Sequence, residues 1–154
     1  MAARILIADD HDVVRQGIRA ILHARPDWEI CGEAADGREA IRLTKELQPD
    51  VIIMDITMPH MSGLEASQEI AKLRVPSRVL IFTMHESRSL GPSVRKAGAH
   101  GYVVKSRAAR DLIEALERLL AGGTFFDNTS SLKTKEDEGP PRGFLLRQAL
   151  SFAW

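Results

Sequence analysis

Residues 51–55 read VIIMD, four consecutive apolar residues followed by an aspartate. In an amphipathic helix or a half-exposed strand, polar residues interrupt the apolar ones at regular intervals, but this run is apolar at every position. Such a run is typical of a central strand in a parallel sheet, where helices cover both faces. The sequence therefore predicts a buried strand over residues 51–54 that leads directly into Asp55.

Similar short apolar runs lie on both sides of this stretch, and segments with apolar residues at helical spacing separate them. The predicted strands cover residues 4–8, 28–33, 51–54, 78–82 and 102–104. The predicted helices cover residues 14–22, 38–47, 64–73 and 112–120, with a shorter one that includes 94–97. This alternation predicts an α/β fold, a flavodoxin-like doubly wound parallel sheet of five strands in the order 2-1-3-4-5 with helices on both faces.

The composition is that of an ordinary globular chain and excludes several classes of protein. Of the 154 residues, 44% are hydrophobic and 27% are charged, which argues against wholesale disorder. The 21 basic residues balance 21 acidic ones, whereas a chain that binds DNA chiefly through phosphate contacts carries a basic excess. The single cysteine, Cys31, excludes an internal disulfide, and we expect it in the core. No apolar run is long enough to span a bilayer, so we expect a cytoplasmic protein with no membrane partner.

Polar residues follow four of the five predicted strands: Asp9 and Asp10, Asp55, Thr83 and Lys105. Ligands of open parallel sheets bind beyond the carboxyl ends of the strands, where the strand order reverses. In the predicted order the first and third strands are neighbours, so the three aspartates converge there. Two unit charges about 4 Å apart repel by about 4 kcal/mol at an effective dielectric near 20. The aspartates therefore need a proton or a cation, and their oxygen ligands favour Mg²⁺.

A carboxylate can also act as a nucleophile toward phosphorus, which gives an aspartyl phosphate. Asp55 is the candidate nucleophile because it ends the central strand. Lys105 would then pair with one oxygen of the phosphoryl group, the Thr83 hydroxyl would donate to another, and Mg²⁺ would neutralise charge. Phosphoryl transfer needs little beyond such positioning and charge stabilisation.

Four blocks of sequence carry a resemblance to a known family: ILIADDH (5–11), VIIMDITMPHMSG (51–63), IFT (81–83) and GYVVK (101–105). In their order and spacing, residues 4–123 resemble the receiver domain of two-component response regulators. The details MPHMSG and GYVVKS are most similar to receivers that usually precede a LuxR-type helix-turn-helix. A single Asp-Asp pair is weak evidence, but the four blocks together are highly specific.

The resemblance implies a set of roles for individual residues. Asp55 is the phosphoacceptor, with Mg²⁺ or Mn²⁺ held by Asp10, Asp55 and the main-chain carbonyl of Thr57, while Asp9 acts largely through water. Thr83 and Tyr102 correspond to the switch pair, in which the hydroxyl moves toward the phosphoryl group and the ring follows inward.

The resemblance also implies partners and a type of activity. The phosphoryl donor would be a sensor histidine kinase or a small phosphodonor, and phosphorylation would favour a homodimer. Turnover would be self-catalysed, so the chain would not be an enzyme that acts on a separate substrate.

Two segments depart from the family pattern, and the first is Gly91-Pro92 within the predicted fourth helix. Proline is tolerated only in the first turn of a helix. We therefore expect this helix to begin near Pro92 or to be loose before it.

The second segment is the end of the chain. The domain boundary is predicted at residue 123, with a receiver domain over 1–123 and a linker-like tail over 124–154. The tail is too short for a helix-turn-helix, so we expect no direct binding of nucleic acid by this chain.

Three other functions remain open on the residues alone. One is a Mg²⁺-dependent phosphohydrolase with an aspartyl-phosphate intermediate, although the third strand lacks the D-x-D pattern of haloacid-dehalogenase enzymes. Another is a flavin-binding module, but the acids after the first strand would repel the flavin phosphate. The last is an interaction module that is never phosphorylated.

Overall fold

The structure is a computed structural model, and it describes residues 2–126. Within these residues the strands are β1 (Ala3–Ala8), β2 (Trp28–Ala34), β3 (Val51–Asp55), β4 (Arg78–Thr83) and β5 (Gly101–Val104). The helices are α1 (Asp12–Leu22), α2 (Gly37–Leu47), α3 (Gly63–Lys72), α4 (Leu90–Lys96) and α5 (Ala108–Leu120), and a 3₁₀ turn, Lys105–Arg107, precedes α5. The predictions for the tail at residues 127–154 lie outside the described residues.

The sheet confirms the predicted fold class. Its strands are all parallel and follow the order β2-β1-β3-β4-β5. Ala8 of β1 pairs with Met54 of β3, so the next residues, Asp9 just after β1 and Asp55 at the end of β3, lie side by side. The register therefore brings two acidic residues to the point where the strand order reverses.

Each face of the sheet carries its own buried cluster, because successive side chains of a strand point to opposite sides. In β3, Val51 and Ile53 belong to the cluster covered by α1 and α5, whereas Ile52 and Met54 belong to the cluster covered by α2, α3 and α4. Every residue of β3 is buried. This double coverage is the reason that the strand reads as an uninterrupted apolar run.

The edge strand β2 contains a β-bulge beside Cys31. Ile5 pairs with Ile30, but Leu6 pairs with Gly32, which leaves Cys31 as the extra residue. The cysteine is half-buried and packs against the core from its edge, so the prediction of a core position is only partly right. Burial is the main cause that raises the pKa of its thiol.

The helices that flank β3 begin at polar caps. The Asp36 carboxylate accepts a hydrogen bond from the Glu39 amide at the start of α2. At α3, Ser62 and Glu65 form a reciprocal capping box, with distances of 3.1 and 3.0 Å. These caps fix where each helix leaves the sheet edge that carries the aspartates.

Helix α4 is short, as the sequence predicted. It covers the seven residues Leu90–Lys96, and Pro92 is its third residue, within the first turn. The prediction of a start near Pro92 is confirmed. Residues 84–89, which join β4 to this helix, are all exposed and contain no strand or helix.

After α5 the chain returns to the edge of the sheet. Phe125 forms an isolated parallel bridge with Gly101 of β5 and is 2% exposed. Phe126 packs its ring edge-on against Tyr102, with centroids 6.3 Å apart. Across residues 2–126, none of the helices combines the length and apolar character that crossing a membrane requires.

Candidate functional site

Two buried carboxylates meet one buried ammonium group at the carboxyl-terminal edge of the sheet. Lys105 Nζ lies 3.0 Å from Asp9 Oδ2 and 3.3 Å from Asp55 Oδ1. The side chains of Asp9, Asp55 and Lys105 are only 1%, 5% and 11% exposed, so solvent screens these attractions weakly. Lys105 reaches the two acids across the end of β4, where its Nζ lies 5.8 Å from the centre of the Phe82 ring.

Asp10 and His11 complete the cluster from the loop after β1. His11 Nδ1 lies 3.2 Å from both Asp9 Oδ1 and Asp10 Oδ1, and the His11 amide donates to Asp9 Oδ1 at 2.8 Å. Ligand atoms of Asp9, Asp10, His11 and Asp55 all lie within 4.8 Å of one another. Asp10 Oδ1 is buried, and apart from its 3.2 Å contact with His11 Nδ1 it has no polar partner among the described residues. A buried carboxylate oxygen that makes no hydrogen bond fits a site that binds a cation.

The charge of the cluster also fits a divalent cation. Three carboxylates and the Lys105 ammonium leave two net negative charges when His11 is neutral. Burial, and after it the charge of Asp9, raise the pKa of the Asp55 carboxyl, although Lys105 acts in the opposite direction. Oxygen ligands and this surplus charge are what a hard cation such as Mg²⁺ requires.

The loop from β3 to α3 folds back tightly against Asp55. The Gly63 amide donates to the Ile56 carbonyl at 2.7 Å. A β-carbon at Gly63 would lie 1.9 Å from the Asp55 carbonyl oxygen, so no other residue fits without a backbone shift. This close approach holds the phosphoacceptor candidate and the following residues, including Thr57, in one arrangement. Thr57 is exposed in this loop, two residues after Asp55.

The predicted switch residues lie on the two neighbouring strands. Thr83 is 6% exposed, and within residues 2–126 its hydroxyl makes only long hydrogen-bond contacts of 3.4 Å, with the backbone of His85. Tyr102 is 7% exposed, and its hydroxyl donates to Glu86 at 3.4 Å. Glu86 also accepts from Arg107 at 2.8 Å. The loop after Thr83 is thus tied to Tyr102 and to the turn after Lys105.

The structure brings together most of the residues singled out from the sequence. Asp9, Asp10, Asp55 and Lys105 form one cluster. The sequence did not indicate a role for His11 or Glu86. For His11, the one signal in the sequence is its position directly after the two aspartates. For Glu86 the sequence holds no signal, because its partners Tyr102 and Arg107 are 16 and 21 residues away.

Comparisons of the sequence with known proteins agree on one family. The family model of the response regulator receiver domain matches residues 5–117. Transcriptional regulatory protein DegU of Brevibacillus brevis is 37% identical over 122 residues, which cover 79% of this chain and 52% of the relative. Transcriptional regulatory protein LiaR of Bacillus subtilis (strain 168) is 39% identical over 119 residues, 77% of this chain and 56% of the relative. The chain spans about half the length of these curated relatives.

A solved structure extends the agreement to three dimensions. A two-component response regulator of the LuxR family from Aurantimonas sp. SI85-9A1 superposes with a TM-score of 0.81 at 39% identity. The match covers 88% of this chain and 97% of that chain. Sequence, fold and the residues at the sheet edge therefore agree, and the chain belongs to the receiver-domain family of two-component response regulators.

Proposed function

We propose that this receiver accepts a phosphoryl group on Asp55 and transmits a signal through the resulting change in conformation. The observation that carries the proposal is the position of Lys105 Nζ, 3.0 Å from Asp9 and 3.3 Å from Asp55. A lysine buried between two acids at a ligand-binding edge is well placed to pair with an incoming phosphoryl group.

In the transfer step a carboxylate oxygen of Asp55 forms the new bond to phosphorus. The bond from phosphorus to the donor breaks, and the donor group leaves with that electron pair. With a sensor histidine kinase the donor atom is a nitrogen of phosphohistidine, and with acetyl phosphate it is an acetate oxygen. Burial of Asp55 excludes water from the nucleophile, and Gly63 keeps the loop beside it in place.

The remaining residues stabilise the negative charge of the phosphoryl group. Lys105 exchanges part of its ion pairing with the carboxylates for one phosphoryl oxygen, and the Thr83 hydroxyl donates to another. The long contacts of that hydroxyl are weak, so its movement costs little. Asp10, Asp55 and the Thr57 carbonyl would hold Mg²⁺, with Asp9 acting through water. The ion supplies charge neutralisation on the phosphoryl oxygens.

The partners follow from this chemistry. A sensor histidine kinase or a small phosphodonor supplies the phosphoryl group, and a second copy of the chain is the proposed partner after phosphorylation. Loss of the phosphoryl group is self-catalysed, so the chain does not turn over a separate substrate. The named relatives are transcriptional regulatory proteins, which supports a signal that acts upstream of transcription.

Incubation with acetyl phosphate and Mg²⁺ tests the proposed function. The intact chain is expected to gain the mass of one phosphoryl group, and no gain in mass would contradict the proposal. Steady release of phosphate from a range of monoesters would instead favour the phosphohydrolase.

Binding of Mg²⁺ to the cluster should raise the melting temperature. A ligand that binds only the folded state stabilises it by about 2.7 kcal/mol at a hundred times its dissociation constant. We therefore expect saturating Mg²⁺ to raise the Tm by about 5–10 °C, as measured by thermal unfolding. The Asp10→Asn variant is expected to lose most of this increase. The Asp12→Asn variant is the control, because Asp12 is 67% exposed and pairs with Arg15. An equal increase in both variants would exclude Asp10 as a ligand.

Phosphorylation is expected to order residues 86–94, which include the loop after β4 and the first residues of α4. The segment has an exposed loop and a short helix, so its amides should exchange rapidly in the unphosphorylated chain. Addition of the phosphoryl mimic beryllofluoride should slow amide hydrogen exchange there, while exchange in α2 (Gly37–Leu47) stays the same. Unchanged protection over residues 86–94 would show that the signal does not pass through this segment.

A further inference from the structure

His11 directs a ring nitrogen at the carboxylate cluster. The side chain is 63% exposed overall, yet its Nδ1 lies 3.2 Å from both Asp9 Oδ1 and Asp10 Oδ1. The residue lies at the N-cap of α1, directly after the two aspartates, so its backbone position is set by the same loop. The cluster therefore offers a nitrogen ligand beside its carboxylate oxygens.

The spacing of these atoms suits neighbouring ligands of one octahedral ion. His11 Nδ1 and Asp10 Oδ1 are 3.2 Å apart, a spacing that suits two neighbouring ligands of one ion with bonds of about 2.1–2.3 Å. The ligand atoms of Asp9, Asp10, His11 and Asp55 all lie within 4.8 Å of one another, which fits a single ion among them.

We propose that His11 Nδ1 is a direct ligand of the ion held by the aspartates, and that the site consequently binds a first-row transition dication such as Mn²⁺ more tightly than Mg²⁺. Imidazole is a good ligand for transition ions and a poor one for Mg²⁺, which prefers oxygen. The inference rests on the proposed function only for the use of Asp10 and Asp55 as ligands of the ion.

A competing role for His11 is a hydrogen bond from Nδ1–H to Asp9 Oδ1, which the same distance of 3.2 Å allows. In that arrangement Nδ1 has no lone pair for a metal. The two roles differ in whether an imidazole nitrogen is coupled to the bound ion, and electron spin echo spectroscopy of Mn²⁺ measures this coupling directly.

The test uses the full chain without an affinity tag, with Mn²⁺ alone as the probe and no phosphodonor. The echo of bound Mn²⁺ is expected to show ¹⁴N modulation in the wild type and in His23→Ala, which changes the exposed histidine at the other end of α1. The His11→Ala variant is expected to lose the modulation. Its dissociation constant for Mn²⁺ should rise about ten-fold, whereas that for Mg²⁺ should change less than about two-fold.

The outcomes separate this inference from the proposed function. Bound Mn²⁺ without ¹⁴N modulation in the wild type would overturn the role of His11 and leave phosphorylation of Asp55 intact. Loss of Mn²⁺ binding in Asp10→Asn, with modulation present in the wild type, supports both the aspartate site and the histidine ligand. No binding of Mn²⁺ to the wild type would overturn the inference. Circular dichroism of His11→Ala checks that the variant is folded.

Discussion

The Asp55→Asn variant is expected to gain no phosphoryl group from acetyl phosphate and Mg²⁺ under conditions in which the wild type does. The amide of asparagine is not a nucleophile toward phosphorus, and the neighbouring Asp9 and Asp10 do not occupy its position at the end of β3. Intact mass spectrometry measures the difference, which should be complete rather than partial.

The same variant is expected to melt at a higher temperature than the wild type at pH 7 without metal. Burial and the charge of Asp9 raise the pKa of Asp55 in the folded state. A raised acid pKa contributes stability below the unfolded value of about 3.9, and this contribution is lost as the pH rises through the folded pKa. Asparagine carries no charge, so the Tm difference should shrink as the pH falls toward about 4.

The control for both effects is Asp12→Asn, which makes the same chemical change at an exposed position outside the cluster. It should take up a phosphoryl group as the wild type does and show no comparable increase in Tm. Phosphorylation of the Asp55→Asn variant at the wild-type level would show that the phosphoacceptor is another residue.

The Gly63→Ala variant is expected to lose about 3 kcal/mol of unfolding free energy and about 5–10 °C of Tm. The added β-carbon would lie 1.9 Å from the Asp55 carbonyl oxygen, which is a backbone atom that no side-chain rotation can move aside. The loop must therefore shift, and the shift displaces Asp55 and Thr57 together. Chemical denaturation should therefore show a lower unfolding free energy, and intact mass spectrometry should show less phosphoryl uptake than in the wild type.

A matched control is Gly17→Ala. Gly17 is exposed in the middle of α1, and a β-carbon added there would meet no atom from outside its own helical turn within 4 Å. Alanine is a better helix former than glycine, so this variant is expected to gain about 0.5–1 kcal/mol. Equal stability of the two variants would show that the close approach at Gly63 is relieved without cost.

Much of the fold was predictable because buried parallel strands leave a clear signal. The apolar run at residues 51–54 indicated a strand covered on both faces, and β3 is buried throughout. The strand boundaries differ from the prediction by one residue: Asp55 and Thr83 belong to their strands, and β2 extends to Ala34. Helix α5 begins at Ala108, four residues before the predicted range. Asp55 and Thr83 extend their strands because a polar residue can continue the backbone pairing after the apolar pattern has ended.

The site was predictable where it depends on strand ends and not where it depends on side-chain geometry. The convergence of Asp9 and Asp55 follows from strand order alone. The contacts of His11 and of Glu86 depend on side-chain conformations in loops, which no periodicity encodes. The return of Phe125 to β5 was also missed, since a glycine pair that ends α5 gave no indication of a further bridge.

The most direct test of the central claim is to identify the phosphorylated residue chemically. Reduction with borohydride converts an aspartyl phosphate to homoserine, and peptide mass spectrometry then locates the converted residue. After incubation with acetyl phosphate and Mg²⁺, we predict homoserine at position 55 and unchanged aspartate at positions 9 and 10. Homoserine at another position, or no conversion in a chain that has gained a phosphoryl group, would contradict the assignment of Asp55.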